Sequence, residues 1–191
     1  TETGSAVEQQ GPNEAKLLST KGVEALRKNQ FKEASTYFNK ALKLDIKNSY
    51  LQLLNGMAYH MQAVRSDSTL FTMAEQGYNL AIKFDASNWI ARYQRGLLHL
   101  DQRRYDAAAS SFADALFYKD DDPEILYNLA ISAYYNKDPE TAAGALKRLR
   151  EVEPATARTT RASSLISAAL GQDQESDKFL ALYKETKPRK G

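Results

Sequence analysis

The chain has 191 residues, 26 basic and 24 acidic side chains, a formal net charge of +2, and no cysteine. This excludes a disulfide scaffold, a thiolate metal site and a cysteine nucleophile, and it gives no global pull toward nucleic acid or acidic lipid. With 42% hydrophobic residues, 9 glycines and 5 prolines, the chain is too apolar for a wholly disordered protein, and its size fits one domain or one repeat array.

Residues 1–14 are polar, with one valine and no aromatic side chain, and read as a flexible tether. No hydrophobic signal core stands near Thr1, and no apolar run approaches the roughly 18–20 residues of a membrane span. From residue 15 the apolar residues recur three and four apart, the spacing of one helical face. This predicts helices at 15–28, 31–45, 49–64, 69–84, 89–101, 105–118, 123–135 and 139–151. Asp122 before Pro123 reads as an N-cap followed by a first-turn proline. A further helix pair is expected over 157–187, broken near Gly171, before a basic tail.

The chain repeats itself. Gly22, Gly56, Gly96 and Ala130 each begin the same downstream pattern. The pattern is Phe31, Ala34, Phe38, Ala41 in the first unit and Phe71, Ala74, Tyr78, Ala81 in the second. It continues as Tyr105, Ala108, Phe112, Ala115 in the third and Pro139, Ala142, Leu146, Leu149 in the fourth. The second unit holds six extra residues between Met57 and Phe71, which read as a partner-contacting loop or as one more turn of helix. Small residues at these places let two antiparallel helices approach closely. One such pair cannot bury its face alone, so pairs must stack.

Little here suggests chemistry. His60 and His99 belong to no paired-ligand pattern; His99 reads as core, and His60 as core or groove margin. The run Asp120-Asp121-Asp122 lacks the alternating ligands and central glycine of a calcium loop and reads as helix capping. Lys147, Arg148, Arg150, Arg158 and Arg161 read as a solvated face laced with ion pairs. No catalytic residue, metal site or cofactor is expected.

The repeated residues resemble the tetratricopeptide repeat family, whose 34-residue unit has a small residue at position 8, an aromatic near 17, alanine at 20, an aromatic at 24 and alanine at 27. The proline usual at position 32 is kept only as Pro154, and Leu18, Gln52, Arg92 and Leu126 replace the usual position-4 tryptophan. The resemblance implies an all-α, right-handed superhelical solenoid of antiparallel helix pairs. Its units are 15–48, 49–88, 89–122 and 123–156, followed by a capping pair at 157–187, with Ser164, Ser176 and Leu180 in register, and a tail at 188–191.

In that family geometry the first helix of each pair lines a concave groove, with positions 2, 5, 9 and 12 facing inward. These are Lys16, Ser19, Val23 and Leu26; Tyr50, Leu53, Met57 and His60; Ile90, Tyr93, Leu97 and Leu100; Glu124, Tyr127, Ile131 and Tyr134. The competing expectation is that some pack between helices, Ile90 and Leu100 foremost. The peptide-binding residues expected are Tyr50, Leu53, Met57, Tyr93, Leu97, Tyr127, Ile131 and Tyr134, holding an extended peptide or amphipathic helix by apolar anchors. Some family members clamp a chaperone's terminal carboxylate with lysine, asparagine and arginine. Ser19, Val23, Leu54, Ile90 and Gln94 stand at the matching places, so that clamp is absent.

The layout is similar to bacterial envelope tetratricopeptide lipoproteins that assist pilus or secretion-channel assembly. The resemblance implies a non-catalytic scaffold binding another protein and no nucleic acid. Localisation is expected to be periplasmic, with outer-membrane attachment only through a lipid anchor upstream of Thr1. The alternative is a cytoplasmic chaperone or regulator that shields an apolar segment of a secreted client.

Overall fold

The computed structural model describes residues 3–171, and side chains from residue 13 onward. The described residues form α1 (Thr3–Arg27), α2 (Phe31–Leu44), α3 (Ser49–Arg65), a 3-10 turn (Ser68–Leu70), α4 (Phe71–Phe84), α5 (Trp89–Asp101), α6 (Tyr105–Tyr118), α7 (Pro123–Tyr135), α8 (Pro139–Val152) and α9 (Ala157–Ala169). Two compact units divide the chain between Leu98 and His99, within α5. The second helix of the expected capping pair, with Ser176 and Leu180, and the 188–191 tail lie outside the described residues.

The start of α1 departs from expectation. Residues 3–14 are helical rather than a tether. Ala6, Glu8, Gln9 and Gln10 are good helix formers, and adding turns to a formed helix avoids the cost of nucleation.

The repeat signature is the core. The alanines of position 20 (Ala34, Ala74, Ala108, Ala142) have no exposed surface, nor do Phe38, Tyr78 and Phe112 of position 24. In the first unit, Phe38, Ala41, Leu51, Leu54 and Ala58 form one apolar cluster; Leu53, Tyr78, Ala81, Ala91 and Leu98 form the next. Met57 packs against both. The second unit buries Ile125, Leu126, Ala130, Leu149 and Ile166 in the same manner.

Three of the helix-to-helix turns share one design. Asn29, Arg103 and Lys137 adopt left-handed φ of 58°, 56° and 58°. The amide after each donates to a carbonyl five residues back: Gln30 to Ala25 (2.9 Å), Arg104 to His99 (2.8 Å) and Asp138 to Ala133 (2.9 Å). This is the Schellman ending of a helix. The second repeat breaks the design, and its six extra residues explain why. Helix α3 runs for 17 residues, against 13 in α5 and α7, so four of the six are one further helical turn. The remainder forms the 3-10 turn, whose first amide groups are capped by Asp67 through Thr69 N (3.1 Å).

Candidate functional site

On an α-helix successive residues step by roughly 100°, so an inward stripe recurs every three or four residues. In the first unit the stripe of α3 begins at Tyr50, which is 58% exposed. Tyr50 stands between two clefts. One, of about 550 Å³, is shared with Lys16, Ser19 and Thr20 of α1. The other, of about 590 Å³, is shared with Trp89 and Ile90 of α5. The floor is set by helix caps. Asn48 accepts from Leu51 N (3.1 Å), and Asn88 accepts from Ala91 N (2.9 Å) while donating to Ser49 Oγ (2.9 Å). Ser49 in turn donates to the Ala81 carbonyl (2.9 Å).

Two expected inward residues of α3 are not there. Leu53 is 4% exposed and belongs to the core beside Tyr78 and Ala81. His60 is 5% exposed; its Nδ1 lies 3.2 Å from the Tyr78 hydroxyl and its ring 5.9 Å from that of Phe71. The reason is angular. Positions 5 and 12 sit roughly 60–80° off the stripe through positions 2, 9 and 13, and on α3 that flank turns into α4. The true stripe is Tyr50, Met57 and Met61; Val64 lies roughly 40° off it and is exposed in the extra turn. Met57 is half-buried, and Met61 and Val64 are 36% and 51% exposed. Sequence reasoning missed Met61 and Val64, although the spacing from Tyr50 was a sufficient signal.

On α5, Tyr93 and Leu97 are half-buried. Ile90, expected to pack away, is instead exposed, while Leu100 is half-buried.

In the second unit Tyr127, Ile131 and Tyr134 of α7 are all half-buried. Tyr135 is more exposed than any of them and joins an aromatic cluster. It stacks on Tyr105 with ring centres 5.1 Å apart and meets Tyr134 edge-on at 5.1 Å. Beside this cluster lies an apolar cleft of about 460 Å³ walled by Tyr134, Tyr135, Ala142, Ile166 and Leu170, with Lys137 on its lining. Ile166 and Leu170 were missed because α9 was read only as part of a cap.

The charged groups serve structure. Asp122 accepts from the amides of Glu124 (3.0 Å) and Ile125 (3.1 Å), starting α7. Arg148 Nη2 reaches Asp120 (2.6 Å) and Asp121 (2.7 Å). Hydrogen bonding to the Asp121 carboxylate raises the Arg148 pKa above its ordinary value. Arg158 pairs with Glu153 at 3.3 Å. His99 is buried in the core. Among the described residues no helix is long and apolar enough to cross a membrane, and no cluster of three or more His, Asp or Glu side chains is placed to hold a metal ion. The arrangement offers apolar and aromatic contact rather than acid–base machinery.

The tetratricopeptide repeat family model matches residues 79–124 and 93–156. No curated protein matches the sequence. Solved structures do. A crystal structure of MamA protein is 19% identical with a TM-score of 0.78, covering 92% of each chain. MamA 41-end from Desulfovibrio magneticus RS-1 is 14% identical with a TM-score of 0.79, covering 91% of this chain and 94% of its own. PilF of Pseudomonas aeruginosa is 15% identical with a TM-score of 0.72, covering 95% of this chain and 80% of its own. At such identities the likeness concerns fold alone, an all-α solenoid of helix pairs, and that fold is a scaffold for protein–protein interaction. Residues 79–156 match the tetratricopeptide repeat model, and the buried repeat positions and the shared solenoid fold agree with it.

Proposed function

We propose that this protein is a non-catalytic adaptor whose inner helix faces hold an amphipathic helix or extended peptide of another protein. The observation that carries this is the concentration of partly exposed aromatic and apolar side chains on those faces: Tyr50, Met57, Tyr93 and Leu97 in the first unit, Tyr127, Ile131 and Tyr134 in the second. Exposed apolar surface on one face marks an interface. Tyrosine and methionine suit adaptable recognition. Leu53 drops out of the set; Met61, Val64 and Tyr135 join it.

The setting proposed is assembly of a bacterial envelope complex, a pilus or secretion machine, in the periplasm and with a lipid anchor upstream of Thr1. The layout of the sequence supports it. The alternative is a cytoplasmic chaperone for an apolar segment of a secreted client. The residues encoded upstream of Thr1 decide between them. A signal peptide ending in a lipidation cysteine supports the envelope setting, and an ordinary cytoplasmic start removes it.

The binding reading is tested by crosslinking capture from the native organism, with Tyr93→Ala/Tyr127→Ala as the control. The double variant is expected to weaken partner binding by roughly 1–4 kcal/mol while the array stays folded. A matching loss of thermal stability would assign both tyrosines to the core instead.

A further inference from the structure

We propose that α3 carries a second anchor on this inner surface, a ridge of Met57 and Met61 that its extra turn lengthens by Val64, and that this ridge receives an amphipathic helix carrying acidic residues beside its apolar stripe. The inference rests on the reading of the inner faces as protein-binding, and it names a class of partner.

A turn added only to fill space would bury its apolar side chains. The extra turn, residues 62–65, buries Ala63 at 5% exposed but leaves Val64 51% exposed. Its back is tied down: Gln62 Nε2 lies 3.1–3.2 Å from the Ala58 and Phe31 carbonyls and the Ser35 hydroxyl, and the Arg65 guanidinium sits 4.7 Å over the Phe31 ring. Val64 follows Met61, which is 36% exposed and is the last position α3 shares with α5 and α7, on the side that also carries Met57 and Tyr50. Gln62 lies roughly 160° round the helix from Val64, and Arg65 roughly 100°. Helices α5 and α7 are one turn shorter and carry no such extension.

Charge selects the occupant. The inward stripe of α3 holds no charge, with Arg65 at its edge. The matching positions of α1 are Lys16, Val23 and Arg27, basic wherever they are charged. Asp45, the acid bordering the adjoining cleft, lies at the far end beside Lys16 and already accepts from Asn48 Nδ2 (2.8 Å). A helix with leucine-like anchors between the methionines and carboxylates toward Arg27 and Arg65 complements the surface. A lysine-rich helix of equal hydrophobicity does not.

The chain carries its own probes. It has three methionines, Met57, Met61 and Met73, and Met73 lies elsewhere, in a groove with Asn39, Leu42 and Leu80. The full chain, labelled with 13C at the methionine methyls, is titrated with a synthetic 16-residue helix of leucines at helical spacing and glutamates between, and with its lysine counterpart. The expected result is saturable movement of the Met57 and Met61 signals with Met73 still. Binding of the lysine helix should be at least tenfold weaker, and Met61→Glu/Val64→Glu should cost at least tenfold. Those two sites are exposed, so the variant's helical content and Tm should match the parent's. Silent Met57 and Met61 signals, Met73 moving with them, or equal binding of both helices would overturn the proposal. A natural partner lost on Tyr93→Ala/Tyr127→Ala while the ridge stays silent defeats this inference alone. A responsive ridge with no partner dependent on the tyrosines defeats the wider reading alone.

Discussion

The α3–α4 pair and the α7–α8 pair follow the same spacing yet reach close packing by different means. In α3–α4 two glycines meet. A Cβ on Gly77 would lie 2.8 Å from Gly56 Cα and 3.0 Å from the Gln52 carbonyl, and one on Gly56 would lie 2.9 Å from the Tyr78 ring. In α7–α8 the small residues are Ala130 and Ala142, both fully buried, while Gly144 has nothing within 4 Å of where a Cβ would stand. Small residues are demanded by the fold in both pairs, but glycine itself only where two backbones touch.

The largest effect should follow truncation of the core on the α3 side. Leu53→Ala should cost about 2–5 kcal/mol, as for other buried leucines, whereas Tyr50→Ala three residues earlier should stay within about 0.5 kcal/mol. Chemical denaturation of both variants checks this. A loss at Leu53 as small as that expected at Tyr50 would return Leu53 to the inner surface. Gly77→Ala comes next. The obstructing atoms are backbone and cannot rotate away, so overpacking should cost about 1–3 kcal/mol. The matching change in the other pair reverses sign: Gly144→Ala should stabilise by about 0.5–1 kcal/mol, because alanine in an open helix interior loses less entropy on folding than glycine. If thermal melts show both changes destabilising, the open space at Gly144 is not real.

Most of this architecture could be read from the chain, and the reasons for the exceptions are local. Gly22, Ala34, Phe38 and Ala41 and their repeats are buried by both partners of a helix pair, so their spacing fixes the pairing, and the expected helix ends mostly fall within a residue or two of those observed. The inner surface is less constrained. Its residues answer to helix rotation, and an offset of one position exchanges a core residue for an exposed one. That is why Leu53 and His60 were expected outside and Met61 was overlooked. The start of α1 was misjudged for another reason: polar composition argues against a buried face, but it does not argue against a helix whose neighbouring turns are already formed.

The smallest effect separates the two pairs by acidity. Helix α8 starts from Asp138, whose carboxylate accepts from Thr141 N at 3.1 Å. Hydrogen bonds from the Thr141 side chain and then its amide hold the Asp138 pKa below its ordinary value. Helix α4 has no side-chain cap of its own and continues from the 3-10 turn. Because the folded state of Asp138 takes up its proton less readily than the unfolded state, its contribution is fully present above the unfolded value, about 3.9, and is lost as pH falls through the lower folded value. Asp138→Asn keeps an oxygen acceptor and removes the charge. The difference in Tm between parent and variant should therefore be small and constant at neutral pH and shrink on acidification below about pH 4. Subtracting the two profiles cancels the titration of the other carboxylates. A difference that holds steady down to low pH would mean that the cap acts through its geometry and not through its charge.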